Sequence, residues 1–417
     1  MKVLIFEAYT DANIGSGALI ENSIKLVKKL LPKSEISLQA HARDVVFDFT
    51  GLPTCYEIFQ MPFNQSRVRQ IFWLLRNAIW MLAHFIVRVF RLPIPEHFYT
   101  YNSLRKDSLE SIKKSDICIS IGAERINDNF YLGLPFSLYT LWMVKSYGKK
   151  LIAFPQTIGP FHFAISKYFA RKVLLLCDYI YVRDIRSENT LNMLGISKDK
   201  YMFVPDIALL QESCSDEEVR DIMNIEKIPF DKPLCGISAM EWTYFKAKPG
   251  SSNYQEYKSI VAAAVDYLIE RYNYHVVFVP TNLKMHGCRE DDVKTGDEVF
   301  DLIRIKDQVT LIRNLYKPGQ IKGLFGNKDM VIATRMHACI LATGAHAPTL
   351  SINYQFKLYE YMKLLGLEEN TIDIEKMTLE KLKALIDYTH INRTQIKKQL
   401  TIKISELQNM IEERLTI

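Results

Sequence analysis

The sequence predicts an α/β protein of two doubly wound parallel-sheet halves facing a cleft, and three observations predict it. Short apolar runs alternate with stretches of helical periodicity from the first residues onward, which is the trace that parallel βαβ units leave in a sequence. The alternation breaks in a polar, acidic passage from Gln211 to Lys232 and then starts again, so two sheets are expected rather than one. The chain's 417 residues, 48% hydrophobic and 24% charged, suffice for two cores of ordinary size.

In order, strands are expected at Lys2–Phe6, Glu35–Ala40, Asp116–Ile121, Lys150–Phe154, Tyr179–Val182 and Tyr201–Val204. Helices are expected over Leu134–Tyr147, Phe163–Cys177 and Ile185–Leu194, the last stopped by Gly195 as a C-cap. The second series places strands at Leu234–Ser238, His275–Val279, Val309–Ile312, Met330–Ala333 and Thr349–Ile352, with a helix over Tyr254–Tyr272. The resulting division is a first Rossmann-like domain over 1–210 with a helical insert near 50–109, a second over 211–395, and a C-terminal helix over 396–417. The charged helical tail from Leu379 to Ile417 either crosses back onto the first half or is solvated.

The insert departs from the α/β pattern. On a helical wheel of Gln70–Leu92, residues Arg69, Arg76, Asn77, His84, Arg88 and Arg91 fall within an arc of about 120°, joined by Trp73 and Trp80, and the rest is apolar. Arginines recurring through its length argue against a spanning helix, each costing about 3 kcal/mol at a bilayer centre. Two readings stand: a helix packed between sheet and neighbours, or a peripheral contact of residues 70–92 with the cytoplasmic membrane, arginines toward lipid headgroups.

Charge and cysteines exclude whole classes. A net charge of +6, dispersed along the chain and without basic runs interleaved with aromatics, gives no footing for nucleic acid. Seven widely spaced cysteines, several inside apolar runs, fit buried thiols of a reducing cytoplasm. The start Met1-Lys2-Val3-Leu4-Ile5-Phe6-Glu7 reads as a buried strand rather than an export signal. A cytoplasmic protein is therefore expected, with the inner face of the cytoplasmic membrane as an option.

The most informative segment runs from Asp329 to Ile340, where a strand-like apolar run stops at Arg335-Met336-His337 and small residues follow. At the carboxyl end of a parallel strand, side chains face the ligand crevice, and the next helix offers its first amides to an anion. The plainer reading is that Arg335 pairs with a structural carboxylate and His337 caps the helix.

Further motifs follow one another in order: Asn13-Ile14-Gly15-Ser16-Gly17, Tyr147–Pro160 with its strand and Gly-Pro turn, Tyr181-Val182-Arg183-Asp184, Pro205-Asp206, Arg335-Met336-His337-Ala338, and Asn353-Tyr354-Gln355-Phe356-Lys357. As an ordered set they resemble the polysaccharide pyruvyl transferase family, across nearly the whole chain except the insert. The resemblance implies a pyruvate ketal placed on a sugar, lipid-linked or not, with phosphoenolpyruvate as donor substrate and no cofactor or metal.

A donor with a carboxylate and a phosphate asks for two separable cations, which Arg335 and Arg183 would supply by bidentate contact. Lys357 would add a point charge, and Asn13 and Gly15 belong to the loop that opens the first helix. His337 would be the acid or phosphate partner. Asp206 and Glu124 are candidate bases; Asp184 is a third, with an ordinary N-cap role as its alternative.

Two positions depart from the family pattern: Ile121-Gly122-Ala123-Glu124-Arg125 replaces a glycine pair followed by a polar residue, and Ser16 stands where an acid is frequent. They leave room for two other functions, a GT-B-type glycosyltransferase using a nucleotide sugar and a non-catalytic subunit of polysaccharide assembly. The cluster His286-Gly287-Cys288 with Glu290-Asp291-Asp292 lacks zinc-site spacing and reads as solvated.

Overall fold

The computed structural model describes residues 1–60, 62, 66–122, 124–130, 132–241 and 252–417. They form two compact units, one of Met1–Thr10, Ser23–Asp206 and Arg414–Ile417, the other of Asp11–Asn22 and Ile207–Glu413. The loop Asp11–Asn22 thus groups with the second unit although it lies near the start of the chain.

The first unit holds strands β1 (Lys2–Ala8), β2 (Glu35–Ala40), β3 (Thr54–Tyr56), β4 (Ile117–Ser120), β5 (Lys150–Gln156), β6 (Tyr179–Val182) and β7 (Tyr201–Phe203). They lie parallel in the order β3-β2-β1-β4-β5-β6-β7. After Lys2 every residue of β1 is buried, and so is all of β4. Helices cover such a sheet on both faces, so its central strands read as continuous apolar runs rather than alternating ones. The expected helices appear at Leu134–Ser146, Ala164–Leu174 and Ile185–Met193. Gly195, at φ +68°, takes the left-handed conformation expected of it. β3 was not expected: Thr54-Cys55-Tyr56 holds no apolar run to read as a strand.

The insert contains β3 and the helices Arg67–Val89 and Ser103–Lys114; Met61 and Phe63–Gln65 within it lie outside the described residues. The first of these helices packs against its neighbours, and does so with its polar rather than its apolar side. Its polar face turns inward: Asn77 and His84 are fully buried while Phe72, Ile79 and Leu82 are 65%, 70% and 60% exposed. Inward partners explain the inversion. Imidazole nitrogens of His84 lie 2.8 Å and 3.0 Å from the Tyr139 and Tyr147 hydroxyls, Arg105 donates to Asn77, and the Trp80 indole donates to Thr100 at 2.9 Å.

The second unit holds β8 (Leu234–Ser238), β9 (His275–Phe278), β10 (Val309–Leu311), β11 (Met330–Ala333), β12 (Thr349–Asn353) and β13 (Thr371–Asp373). They too are parallel, in the order β10-β9-β8-β11-β12-β13. In each unit the order reverses beside the first strand, at β1/β4 and at β8/β11, and ligands of doubly wound sheets bind outside the carboxyl ends at such points. The tail is one continuous helix, Leu379–Arg414, so the expected boundary at 395/396 falls inside it. Its inward stripe includes Leu382, Ile386, Ile396, Leu400 and Ile404. The last residues return to the first unit, where the Thr416 amide donates to the Tyr181 hydroxyl at 2.8 Å.

Candidate functional site

In the second unit β11 ends at Ala333, and Arg335, in extended conformation, caps the helix Met336–Gly344. The small and apolar residues that follow suit a helix packed on all sides, and its first turn carries no acid. The amides of Met336, His337 and Ala338 open that turn, where a helix has no internal acceptors for them and carries partial positive charge.

Arg335 does not face open solvent. Its Nε and Nη2 donate to Asp292 Oδ1 at 3.1 Å and 2.6 Å, and Nη1 donates to Glu290. The other Asp292 oxygen accepts from the amides of Thr281 and Asn282 at 3.1 Å and 2.9 Å. Burial pushes the Asp292 carboxyl up, and Arg335 opposes that rise. Burial alone would lower the Arg335 pKa, but Asp292 and Glu290 outweigh it and keep the guanidinium charged. Two carboxylates beside one guanidinium leave little positive charge for an incoming anion. Arg335 thereby ties the helix start to the segment after β9. The acidic run read as solvated in the sequence is its counter-charge, a correction that came from a distance of more than forty residues along the chain.

The N-terminal loop reaches the same place. Asn13 pairs antiparallel with Asn282, the Ile14 amide donates to Thr281 at 2.9 Å, and the Leu283 amide donates to Ala12 at 3.0 Å. Asn13 Oδ1 accepts from the Ser16 amide at 2.8 Å, which caps the first helix, Ile14–Leu30. Gly15 then stands directly against His337: a Cβ added to it would lie 2.2 Å from the imidazole Nδ1. The first turns of two helices, neither holding an acid, are therefore adjacent, an arrangement suited to an anion. Asn13, Gly15, Arg335 and His337 are brought together. Lys357 is half-buried in the first turn of the helix Phe356–Leu364, which follows β12, the neighbour of β11.

The remaining predicted residues lie in the first unit. Arg183 and Asp206 meet each other as a buried ion pair at 2.6 Å, and Arg183 also donates to Thr157 at 3.1 Å. Each thus answers the other's charge. Asp184 caps the helix Ile185–Met193 by accepting from the Ser187 amide at 2.8 Å, as its plainer reading held. Glu124 is half-buried, and Ala123 beside it lies outside the described residues.

Sequence reasoning missed Glu7. At the end of β1 it adopts φ +68°, accepts a hydrogen bond from Ser120 at the end of β4, and is held protonated more readily than usual by burial, with Arg125 pulling the other way. A non-glycine residue in the left-handed region at a switch point is a strained, site-like position. No sequence signal marks it, because an acid closing an apolar strand also reads as a strand end.

Residues 13–355 match the family model described as polysaccharide pyruvyl transferase. The amylovoran biosynthesis protein AmsJ of Erwinia amylovora is 22% identical over 413 residues, covering 97% of this chain and 96% of that protein. Among solved structures, the UDP-GlcNAc 2-epimerase of Neisseria meningitidis bound to UDP-GlcNAc superposes with a TM-score of 0.58 at 16% identity, covering 99% of this chain and 98% of that one. A glycosyltransferase of Rickettsia africae gives 0.57 at 11% identity, covering 98% and 94%. At such identities the likeness is one of fold, two Rossmann-like halves of GT-B type.

Proposed function

The chain belongs to the polysaccharide pyruvyl transferase family, and from that membership we propose that it moves pyruvate from phosphoenolpyruvate onto a sugar of a surface polysaccharide, or of its lipid-linked precursor, as a ketal. The observation that carries this reading is the contact of Gly15 with His337, which joins two motifs more than three hundred residues apart at adjacent helix starts. A phosphate on the donor meets the amides of those first turns, and Lys357 adds charge from the next helix.

In this scheme His337 protonates the methylene carbon of the donor, giving an oxocarbenium-like centre at C2. One sugar hydroxyl adds to that centre, the C2–O bond to phosphate breaks, and a neighbouring hydroxyl closes the ketal. Of the two hydroxyl protons, one leaves with the phosphate and the other, taken up by a base, replaces the proton that His337 gave to carbon. Arg335 acts by positioning, holding the helix start that carries His337. All seven cysteines are free thiols, which suits a reducing cytoplasm.

The test is a thermal-shift titration of wild-type and His337→Asn protein with phosphoenolpyruvate, using uridine and guanosine diphosphates as controls. At a hundred times its dissociation constant the donor stabilises the folded state by about 2.7 kcal/mol, and the variant loses most of that response. Stabilisation by a nucleotide diphosphate and not by phosphoenolpyruvate would replace this reading with a nucleotide-sugar transferase.

A further inference from the structure

The helix Arg67–Val89 is built inside out for a protein surrounded by water. Val68, Phe72, Leu75, Ile79, Leu82 and Ile86, recurring at alternating steps of four and three residues, form one exposed stripe. The helix of 23 residues is about 34 Å long, and the stripe from Val68 to Ile86 takes up about 27 Å of it. A contiguous apolar face of this length is far more than the scattered apolar residues of an ordinary surface. It continues past the helix end into exposed Phe90, Leu92 and Ile94.

What covers it is indicated by charge. From residue 66 to 95 the chain carries five arginines and no Asp or Glu. Of these, Arg88 turns inward onto Ser146 and the Tyr147 ring, while Arg67, Arg69, Arg76 and Arg91 are exposed beside the stripe. The helix Ala164–Leu174 repeats the combination: Phe163, Ile165, Tyr168 and Phe169 are exposed, Lys167, Arg171 and Lys172 lie among them, and no acid occurs from 161 to 177. Both helices pack on the same neighbour, Leu134–Ser146. A second copy of this surface would bring like charges together, whereas an anionic bilayer matches both the apolar and the basic residues.

We propose that the first unit docks on an anionic lipid bilayer, with the helix Arg67–Val89 lying in the interface plane, its apolar stripe among the acyl chains and its arginines at the phosphates. By length and composition alone the helix is also apolar enough to cross a membrane. Crossing would strip Asn77, Trp80 and His84 from Arg105, Thr100, Tyr139 and Tyr147, leaving polar groups unpaired on both sides of the break. The docking stands on the first unit alone and does not depend on the reaction proposed above.

The experiment is flotation of the full-length protein with vesicles of phosphatidylglycerol and phosphatidylethanolamine, and with vesicles of phosphatidylcholine, at low and high salt. Wild-type protein is expected to float with the anionic vesicles, less so at high salt. The variant Ile79→Glu/Leu82→Glu, altered only at exposed positions, should lose binding by at least about ten-fold while keeping its circular dichroism and thermal midpoint. Arg69→Gln/Arg76→Gln should weaken binding to anionic vesicles only. Failure of the wild type to float, or binding unchanged by Ile79→Glu/Leu82→Glu, overturns the proposal. So does a dimer in sedimentation that the same variant abolishes without any vesicle binding, which would assign the stripe to a second copy.

Discussion

Gly15 and His337 are in contact so close that the glycine has no room for a single further carbon: a Cβ would fall 2.2 Å from Nδ1 and 2.3 Å from Cγ of the imidazole. In an open helix an alanine would be favoured over glycine. Here Gly15→Ala must push the imidazole or the first helix aside, at a cost of about 1–3 kcal/mol for overpacking. The expected outcome is a lower urea midpoint and a larger loss of turnover than of stability, since the displaced ring is the proposed acid. A Gly15→Ala protein as stable and active as wild type would remove the contact from the argument.

Arg335→Ala would leave the Asp292 carboxylate buried with its amide donors but without its cation. Breaking a buried pair from one side costs about 3–5 kcal/mol. The expected loss in urea unfolding is of that size, and Asp292→Ala in the same background should recover part of it. A coupling below about 0.5 kcal/mol in the double-mutant cycle would mean that the pair does not hold the helix start. Loss of donor response in Arg335→Ala is then ambiguous, which is why His337→Asn is the better probe of the site.

The Arg183–Asp206 pair predicts the same asymmetry in the first unit. Both side chains are almost wholly buried and 2.6 Å apart. Asp206→Asn should lower stability by about 3–5 kcal/mol through the unpaired guanidinium, and turnover measured well below the new midpoint should keep the wild-type pH profile. If instead the fold is untouched and one limb of the profile disappears, Asp206 is the base that the sequence pointed to.

Strand positions and helix bounds were legible because each rests on local signals: apolar runs of strand length, Gly195 as a stop, Arg335 closing β11. The edge strands β3 and β13 were not: Thr54-Cys55-Tyr56 and Thr371-Ile372-Asp373 hold no apolar run, unlike the equally short β7 and β10. Within the site, the sequence singled out Arg335 and His337 but could not tell what would meet them. Glu290 and Asp292 look like a solvated run until the segment after β9 is folded against β11. The helical wheel of the insert found the polar arc but could not tell that Asn77 and His84 within it would be buried, because the partners that draw them inward, Arg105, Tyr139 and Tyr147, lie far along the chain.

That inward face makes a pH prediction. Burial, with Arg88 adding to it, lowers the His84 pKa from 6.5 to about 3. Between those values the unfolded chain binds a proton that the native protein refuses. The group's contribution to stability is therefore complete above pH 6.5 and declines as pH falls toward 3, by at most about 1.4 kcal/mol per pH unit. Unfolding free energies measured from pH 7 to pH 5 should fall less steeply for His84→Gln than for wild type. Parallel slopes would mean that His84 accepts its proton inside the fold.

Glu7 carries the opposite sign. Burial raises its carboxyl pKa above 4.5, Arg125 only partly opposing it, so the native protein holds this proton more tightly than the unfolded chain does. Its contribution is favourable at low pH and is lost as pH rises through the folded value. Glu7→Gln keeps the shape of the side chain and its place beside Ser120 without the charge. It should raise the thermal midpoint at neutral pH and give no gain below pH 4.5. A strained, buried acid retained at a switch point against stability is the mark of a working group, so the same variant should be slower as well as more stable. A stabilised variant with unaltered turnover would make Glu7 a local strain of β1 and nothing more, and a destabilised one would show that the Ser120 bond outweighs the burial.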